Sequence, residues 1–208
     1  MELINHYFDN LSPAQQEQFF KMQNLYLQWN QKINVISRQD INNFYNSHVL
    51  HSLSIAKFIN FTPGSIVIDA GTGGGFPGVP LAVMFPAVRF VCVDSTAKKL
   101  SVIDDVCKQL NIKNVTTLHS RLESLDISCD FVVSRAVTRL NTMWDWVNPL
   151  INKTSQNSIK NGLIYLKGGD ISNELPNNVF MQQIDLNELF DDTIFDQKAL
   201  VYITSQQM

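Results

Sequence analysis

The segment Ile68-Asp69-Ala70-Gly71-Thr72-Gly73-Gly74-Gly75-Phe76-Pro77-Gly78 carries an apolar run straight into a glycine cluster. The run before it, Ser65-Ile66-Val67-Ile68-Asp69, is short and β-branched, which predicts a buried strand. Beyond the glycines, Pro77 to Met84 reads as a helix. Glycine permits a sharp turn there and lets a ligand approach the backbone without a Cβ in the way. The helix N-terminus that follows is a place of positive potential.

The pattern continues outward from that segment. Arg89-Phe90-Val91-Cys92-Val93-Asp94 is a second strand ending in an acid, 23 residues beyond Gly71. Ala97 to Leu110 is a helix with Leu100, Ile103, Val106 and Leu110 on one side. Val115–Leu118, Phe131–Ser134 and Leu163–Leu166 are further strands, with a helix over Leu140–Ile151. Strand and helix in alternation predict a doubly wound, mostly parallel sheet. Val179–Leu186 and Ala199–Thr204 follow each other with no clear helix between, which predicts an antiparallel edge. Thr62-Pro63-Gly64 breaks the chain ahead of this unit. Residues 1–62 then form an N-terminal helical extension, and 63–208 the sheet domain, in one compact unit. In the extension Leu25, Trp29 and Ile33 recur at four-residue steps, Ser12-Pro13 opens a helix, and a second helical stretch runs from about Asp40 to Phe58.

Composition removes several function classes. The chain has 208 residues, 45% of them hydrophobic and 17% charged, which suits a globular protein and not a disordered tail. Three cysteines, Cys92, Cys107 and Cys129, without a C-x-x-C pair, argue against a disulfide scaffold or zinc ribbon and for a reducing, cytoplasmic home. The N-terminus lacks a signal-peptide pattern. The uncharged run Ala70–Val88 is long enough for a membrane span, but its glycines and three prolines speak against a lipid-exposed helix. The net charge is −3, yet Gly169–Met208 alone holds seven acids and one base, leaving +3 for residues 1–168. A basic face on the larger part is one reading; a solvated mixed surface is the other.

The acid at the end of the second strand specifies the ligand class. In this layout a carboxylate holds the two ribose hydroxyls of a nucleoside cofactor. The competing reading is a tight turn that binds nothing. A P-loop needs a lysine that is absent here, and a dinucleotide loop needs glycine where Phe76 stands. The order acid-x-Gly-x-Gly-x-Gly, Asp69 to Gly75, instead resembles motif I of class I S-adenosylmethionine-dependent methyltransferases.

The resemblance narrows over Gly71–Ala82, Val93–Lys99, Arg121-Leu122-Glu123 and Ser134-Arg135-Ala136. These stretches, with Trp29-Asn30-x-x-Ile33-Asn34 and His48–Leu53, are similar to the bacterial small-subunit rRNA guanine-N7 methyltransferase family RsmG, also called glucose-inhibited division protein B. His51 departs from it, since many members carry aspartate there, and the last forty residues match only loosely. The resemblance implies a Rossmann-like α/β class I fold and the cofactor S-adenosylmethionine. It implies methyl transfer to N7 of a guanine in 16S rRNA, with that RNA or the small ribosomal subunit as partner. It also implies that Gly71 and Phe76 line the cofactor loop, with Gly73 and Gly75 shaping it. Asp94 is then the ribose acid, Leu122 and Glu123 lie beside the adenine, and Arg135 belongs to the same site. A guanidinium beside a carboxylate would suit that place, although an ion pair of Arg135 with Asp69 or Asp94 is the alternative.

Guanine N7 carries a lone pair and no proton, so no general base is assigned; alignment carries the reaction. His48 and His51, three apart, read as a packed or hydrogen-bonded pair and not as a metal site, and no metal is expected. His119 and the cysteines read as structural. Lys98, Lys99, Arg139 and Lys167 fall just beyond strand ends by this reading and are candidates for holding RNA phosphates, or are solvated charges. Of Trp144 and Trp146, at least one belongs to the core, and neither is assigned as a stacking platform. A monomer is expected. Two other functions stay open: a methyltransferase of a small molecule or protein, and an RNA-binding assembly factor that keeps a cofactor pocket without turnover.

Overall fold

The structure is a computed structural model that describes residues 2–37, 40–191 and 193–205, with the side chain of Ile41 excepted. Asp192, one of the acids of the C-terminal segment, lies outside the described residues.

Seven strands form one sheet in the order β3-β2-β1-β4-β5-β7-β6. They are β1 (Ile66–Ala70), β2 (Arg89–Asp94), β3 (Val115–His119), β4 (Phe131–Arg135), β5 (Gly162–Gly168), β6 (Val179–Asp185) and β7 (Lys198–Ser205). The first five pair in parallel. β7 inserts antiparallel between β5 and β6, the expected antiparallel edge. Strand order reverses direction between β1 and β4, and a doubly wound sheet opens a ligand crevice at the carboxyl ends of its strands at such a point.

The central strands are continuous apolar runs because both faces are covered. On one face Val67, Phe90, Phe131 and Ile164 join a core shared with α4 (Gly78–Met84) and α5 (Ala97–Gln109). Phe19, Met22 and Tyr26 of α2 (Pro13–Asn30) and Leu53 and Ile55 of α3 (His51–Phe58) lie in that same layer. On the other face Ile68, Val91, Val132 and Leu163 pack with α6 (Leu140–Val147). The four residues expected on the inner side of α5, Leu100, Ile103, Val106 and Leu110, are all buried.

Local signals explain several boundaries. Ser12 and Gln15 form a reciprocal capping box at the start of α2, which follows α1 (Glu2–Tyr7). The Gln15 amide also donates to the carbonyls of Val83 (2.9 Å) and Met84 (3.1 Å), tying α2 to the end of α4. After α2, the Asn30 side chain accepts from the backbone of Val35 and Ile36 and shapes the turn. Two expected helices are revised. The stretch from Asp40 divides into a 3-10 turn (Asp40–Asn43), a wide π-helical turn (Tyr45–Leu50) and α3. There the hydroxyls of Ser52 and Ser54 bond back to the carbonyls of His48 and His51, which competes with regular helix pairing. α6 stops at Val147 and not at Ile151: Asn148–Leu150 continues as a 3-10 turn, and Pro149 has no amide to donate back into an α-helix. Among the described residues no helix is long and apolar enough to cross a membrane.

Candidate active site

β1 delivers Asp69 to the base of the glycine loop, where it is fully buried. Its Oδ2 accepts from the Thr72 hydroxyl (2.5 Å) and from the Gly78 amide (2.7 Å), so one carboxylate clamps both ends of the loop. Its Oδ1 has no hydrogen-bond partner among the described residues. Burial pushes the Asp69 carboxyl up to about 7, against the lowering effect of those two hydrogen bonds. The Thr72 amide donates to the Val93 carbonyl (2.9 Å), fixing the loop to β2.

β2 ends at Asp94, buried at the cleft wall. Asp94 accepts from the amides of Gly73 (3.0 Å) and Thr96 (2.9 Å), and the Lys99 ammonium stands 3.7 Å away. Each carboxylate oxygen has two lone-pair directions, so further acceptor capacity remains. A cleft of about 400 Å³ opens here, within the range of small-molecule sites. Its wall includes Gly71, Val93, Asp94, Leu122, Glu123, Arg135, Val137 and Trp146. A buried acid at one end, apolar surface from Val93, Leu122 and Trp146, and a bare backbone loop fit a nucleoside with an aliphatic tail. At Gly73 no heavy atom stands within 4 Å of where a Cβ would be, so the loop leaves room beside Asp94.

The sequence-derived candidates separate on this geometry. Gly71, Asp94, Leu122, Glu123 and Arg135 border the cleft together. Gly73 reaches it through Asp94, and Gly75 turns the loop at φ 100°. Phe76 differs: its ring is 4% exposed and stacks beneath the loop against Tyr26 (4.9 Å) and His48 (5.1 Å), outside the cleft wall. Burial of a large apolar ring outweighs exposure to the cleft. Arg135 makes no ion pair with Asp69 or Asp94 among the described residues. Its guanidinium donates to the Ser47 carbonyl (3.2 Å) and to His48 Nδ1 (2.9 Å), and lies 5.5 Å from the centre of the Phe76 ring.

The four cations separate as well. Lys98 and Arg139 are exposed. Lys99 belongs to the cleft wall beside Asp94. Lys167 lies inside β5, not beyond it, in a largely buried ion pair with Glu174. His119 is anchored to the Ser95 carbonyl (3.0 Å), and the three cysteines are buried thiols. Among the described residues no group of three or more His, Cys, Asp or Glu could hold a metal ion.

Two contributors escaped the sequence reading. Trp144 is core, whereas Trp146, two positions on, faces the cleft; their spacing already places them on different sides of α6. Tyr165, fully buried in β5, accepts from the amides of Val137 (2.9 Å) and Thr138 (2.9 Å) and donates to the Thr138 carbonyl (2.7 Å). It thereby sets the loop after β4. That loop brings Val137 so close to Gly71 that a Cβ there would stand 2.5 Å from it, at a φ of 67° that also favours glycine. An apolar strand tyrosine carries no sequence mark of such a role.

Comparison with known proteins agrees with this geometry. Solved structures share the fold: a SAM-dependent methyltransferase from Aquifex aeolicus superposes with a TM-score of 0.55 at 13% identity, over 81% of this chain and 97% of that one. An rRNA methylase from Streptococcus thermophilus gives 0.52 at 12% identity, over 76% and 95%. At the sequence level a "Ribosomal RNA small subunit methyltransferase G" from Flavobacterium johnsoniae is 47% identical, covering 98% of this chain and 97% of its own length. Its counterpart from Phocaeicola vulgatus is 48% identical, over 98% of each. The family model described as rRNA small subunit methyltransferase G matches residues 15–186, a span that holds the glycine loop, Asp94, Leu122, Glu123 and Arg135. With relatives near half identical over almost the whole chain and a cleft at the point where their shared fold binds its ligand, this chain belongs to the rRNA small subunit methyltransferase G family.

Proposed function

We propose that the protein transfers a methyl group from S-adenosylmethionine to N7 of a guanine in the 16S RNA of the small ribosomal subunit. One coincidence carries the reading: a glycine-loop cleft with Asp94 in its wall occurs in a chain matched almost end to end by small-subunit rRNA methyltransferases. In this reading Asp94 accepts from the ribose hydroxyls, Leu122 and Glu123 flank the adenine, and Gly71, Gly73 and Gly75 form the loop beside the methionyl part, with Phe76 supporting the loop from beneath and Arg135 at its end. When bound, the cofactor supplies a methyl carbon whose bond to sulfur breaks as the guanine N7 lone pair bonds to it.

The chain contributes alignment and exclusion of water. N7 loses no proton, so no side chain has to act as a base, and holding donor and acceptor in line supplies the rate. Residues 1–62 act as an extension on the 63–208 domain, covering one face of it. Lys98 and Arg139, exposed near the cleft, are the proposed phosphate contacts, while Lys99 and Lys167 contribute less because Asp94 and Glu174 already pair with them. The test is mapping of N7-methylguanine in 16S RNA from cells with and without the gene. The reading expects one methylated guanine to be lost on deletion and restored on complementation. An unchanged methylation map would overturn it.

A further inference from the structure

The sheet order lays the cleft across four strand ends. Leu122 and Glu123 follow β3, Asp94 ends β2, Gly71 follows β1 and Val137 follows β4. A ligand with its ribose on Asp94 therefore passes over Gly71 before it reaches Val137. Val93 and Leu122 in this wall are buried, but Val137 is 41% exposed. Core packing does not fix a side chain that is so exposed. Yet Val137 stands so close to Gly71 that the glycine has no room for a Cβ. Whatever holds Val137 there has to act on the backbone of its loop, residues 136–139.

Two side chains from outside the cleft wall do so. The Tyr165 hydroxyl accepts from the amides of Val137 (2.9 Å) and Thr138 (2.9 Å) and donates to the Thr138 carbonyl (2.7 Å). A hydroxyl has one proton and two acceptor positions, so all of its capacity goes to two consecutive residues. Tyr165 is itself fully buried, which makes its oxygen a fixed point. At the other end of the loop Glu174 accepts from the Leu140 amide (2.9 Å), the first of α6, where Arg139 supplies no side-chain cap. A carboxylate there also meets the positive end of the helix. Lys167 pairs with Glu174 and reaches toward the Thr138 carbonyl (3.5 Å), which links the two anchors. α6 in turn carries Trp146 to the cleft wall.

We propose that Tyr165 and Glu174 are positioning residues for the methyl donor. Acting through the backbone of residues 136–140, they hold Val137 against Gly71, where it closes the wall around the aliphatic, sulfur-bearing end of the donor. Phenylalanine at 165 would leave two amides and a carbonyl without their partner, and the loop would have to move toward water to satisfy them. Val137 would then leave Gly71, and the donor would lose an apolar contact. The assignment rests on the reading of the cleft as the S-adenosylmethionine site. It adds which residues outside the wall set the affinity for the donor.

Calorimetric titration with S-adenosylhomocysteine tests this, with melting recorded on the same proteins. Tyr165→Phe should weaken binding roughly tenfold. Val137→Ala, at an exposed position, should weaken it about fivefold with melting unchanged. Glu174→Ala should also bind several-fold more weakly. Glu174→Gln, which keeps a carbonyl oxygen for the Leu140 amide, should recover most of that loss. Tyr202→Phe is the control: its hydroxyl donates to the Lys160 carbonyl (2.6 Å) ahead of β5, at the end of the strand away from the cleft. It should lower the melting temperature and leave the affinity as it was. In methyl transfer to 16S RNA, Tyr165→Phe should raise the KM for S-adenosylmethionine with kcat nearly unchanged. A folded Tyr165→Phe protein that binds like the wild type overturns the proposal. So does a Tyr202→Phe protein that loses as much affinity, since binding would then only follow stability. Should Tyr165→Phe fail to fold, unaltered binding by Val137→Ala, or a Glu174→Gln no better than Glu174→Ala, overturns it as well. A wild-type protein that does not bind S-adenosylhomocysteine rejects the cofactor reading itself, whereas wild-type binding with indifferent variants rejects the positioning alone.

Discussion

Replacing Gly78 by alanine tests a close contact beneath the cofactor loop. Gly78 opens α4, and its amide is bonded to Asp69 Oδ2 at 2.7 Å. A Cβ there would stand 2.6 Å from that oxygen, 2.7 Å from Cys92 Sγ and 3.0 Å from Asp69 Cβ. Both neighbours are fully buried on adjacent central strands and have no space to move into. The start of α4 must therefore back away from the sheet. Overpacking of this kind costs about 1–3 kcal/mol. Weakening the hydrogen bond to a buried carboxylate adds about 1.5–3 kcal/mol. Alanine returns up to about 1 kcal/mol of helix propensity, less at the first helical position. The net loss is about 3 kcal/mol, which for a chain of this size lowers the melting temperature by roughly 6–12 °C. Because Asp69 also holds Thr72, the glycine loop shifts with the helix, so S-adenosylhomocysteine affinity should fall in the same variant. Calorimetric melting and a ligand titration measure both effects. Adding Cys92→Ala removes one of the clashing atoms, so the pair should lose less than the sum of the single changes. A Gly78→Ala protein that melts and binds like the wild type would refute the account of the close approach and of the clamp built on it.

Asp94→Ala should weaken S-adenosylhomocysteine binding about 10-fold or more, since hydrogen bonds to a charged group contribute about 1.5–3 kcal/mol. A change in melting alone would make Asp94 merely a brace for the amides of Gly73 and Thr96. Lys98→Ala should flatten the salt dependence of RNA affinity by about 0.7 in log–log slope without touching cofactor affinity. Lys99→Ala, beside Asp94, should instead alter cofactor affinity, and a Lys99→Ala effect confined to the salt slope would return that lysine to the RNA surface. For Asp69, with its folded value raised to about 7 from 3.8, the linked stability is full below pH 3.8 and is lost as the pH rises through about 7. Asp69→Asn lacks that titration, so its melting temperature should gain on the wild type between pH 5 and about 8, with buffers matched. A gap that stays constant over this range would mean that Asp69 titrates elsewhere.

The sheet was legible in the sequence because its inner strands are buried on both faces. Val67-Ile68, Phe90-Val91 and Val132-Val133 have to be apolar without interruption, and a run of that kind between turn residues reads as a strand wherever it occurs. The glycine loop and Asp94 were legible for a related reason: a backbone that must turn and admit a ligand excludes most side chains locally, so the constraint is written at those positions. The capping box at Ser12 and Gln15 is equally local. The long-range pairings had no such mark. Nothing near Phe76 in the chain reveals that its ring turns inward onto Tyr26 and His48, or that Trp146 and not Trp144 meets the cleft. Lys99 and Lys167 read as candidate phosphate contacts, or as solvated charges, until the fold sets Asp94 and Glu174 beside them. Arg135 and His48 are 87 positions apart, and only the packing of the N-terminal helical region onto the end of β4 joins them into the wall of a second cavity. Backbone propensity and hydrophobic period are short-range and survive in any stretch of sequence, whereas the charge partner of a side chain, and the face on which it is buried, depend on which distant residues the closed fold brings within a few ångströms.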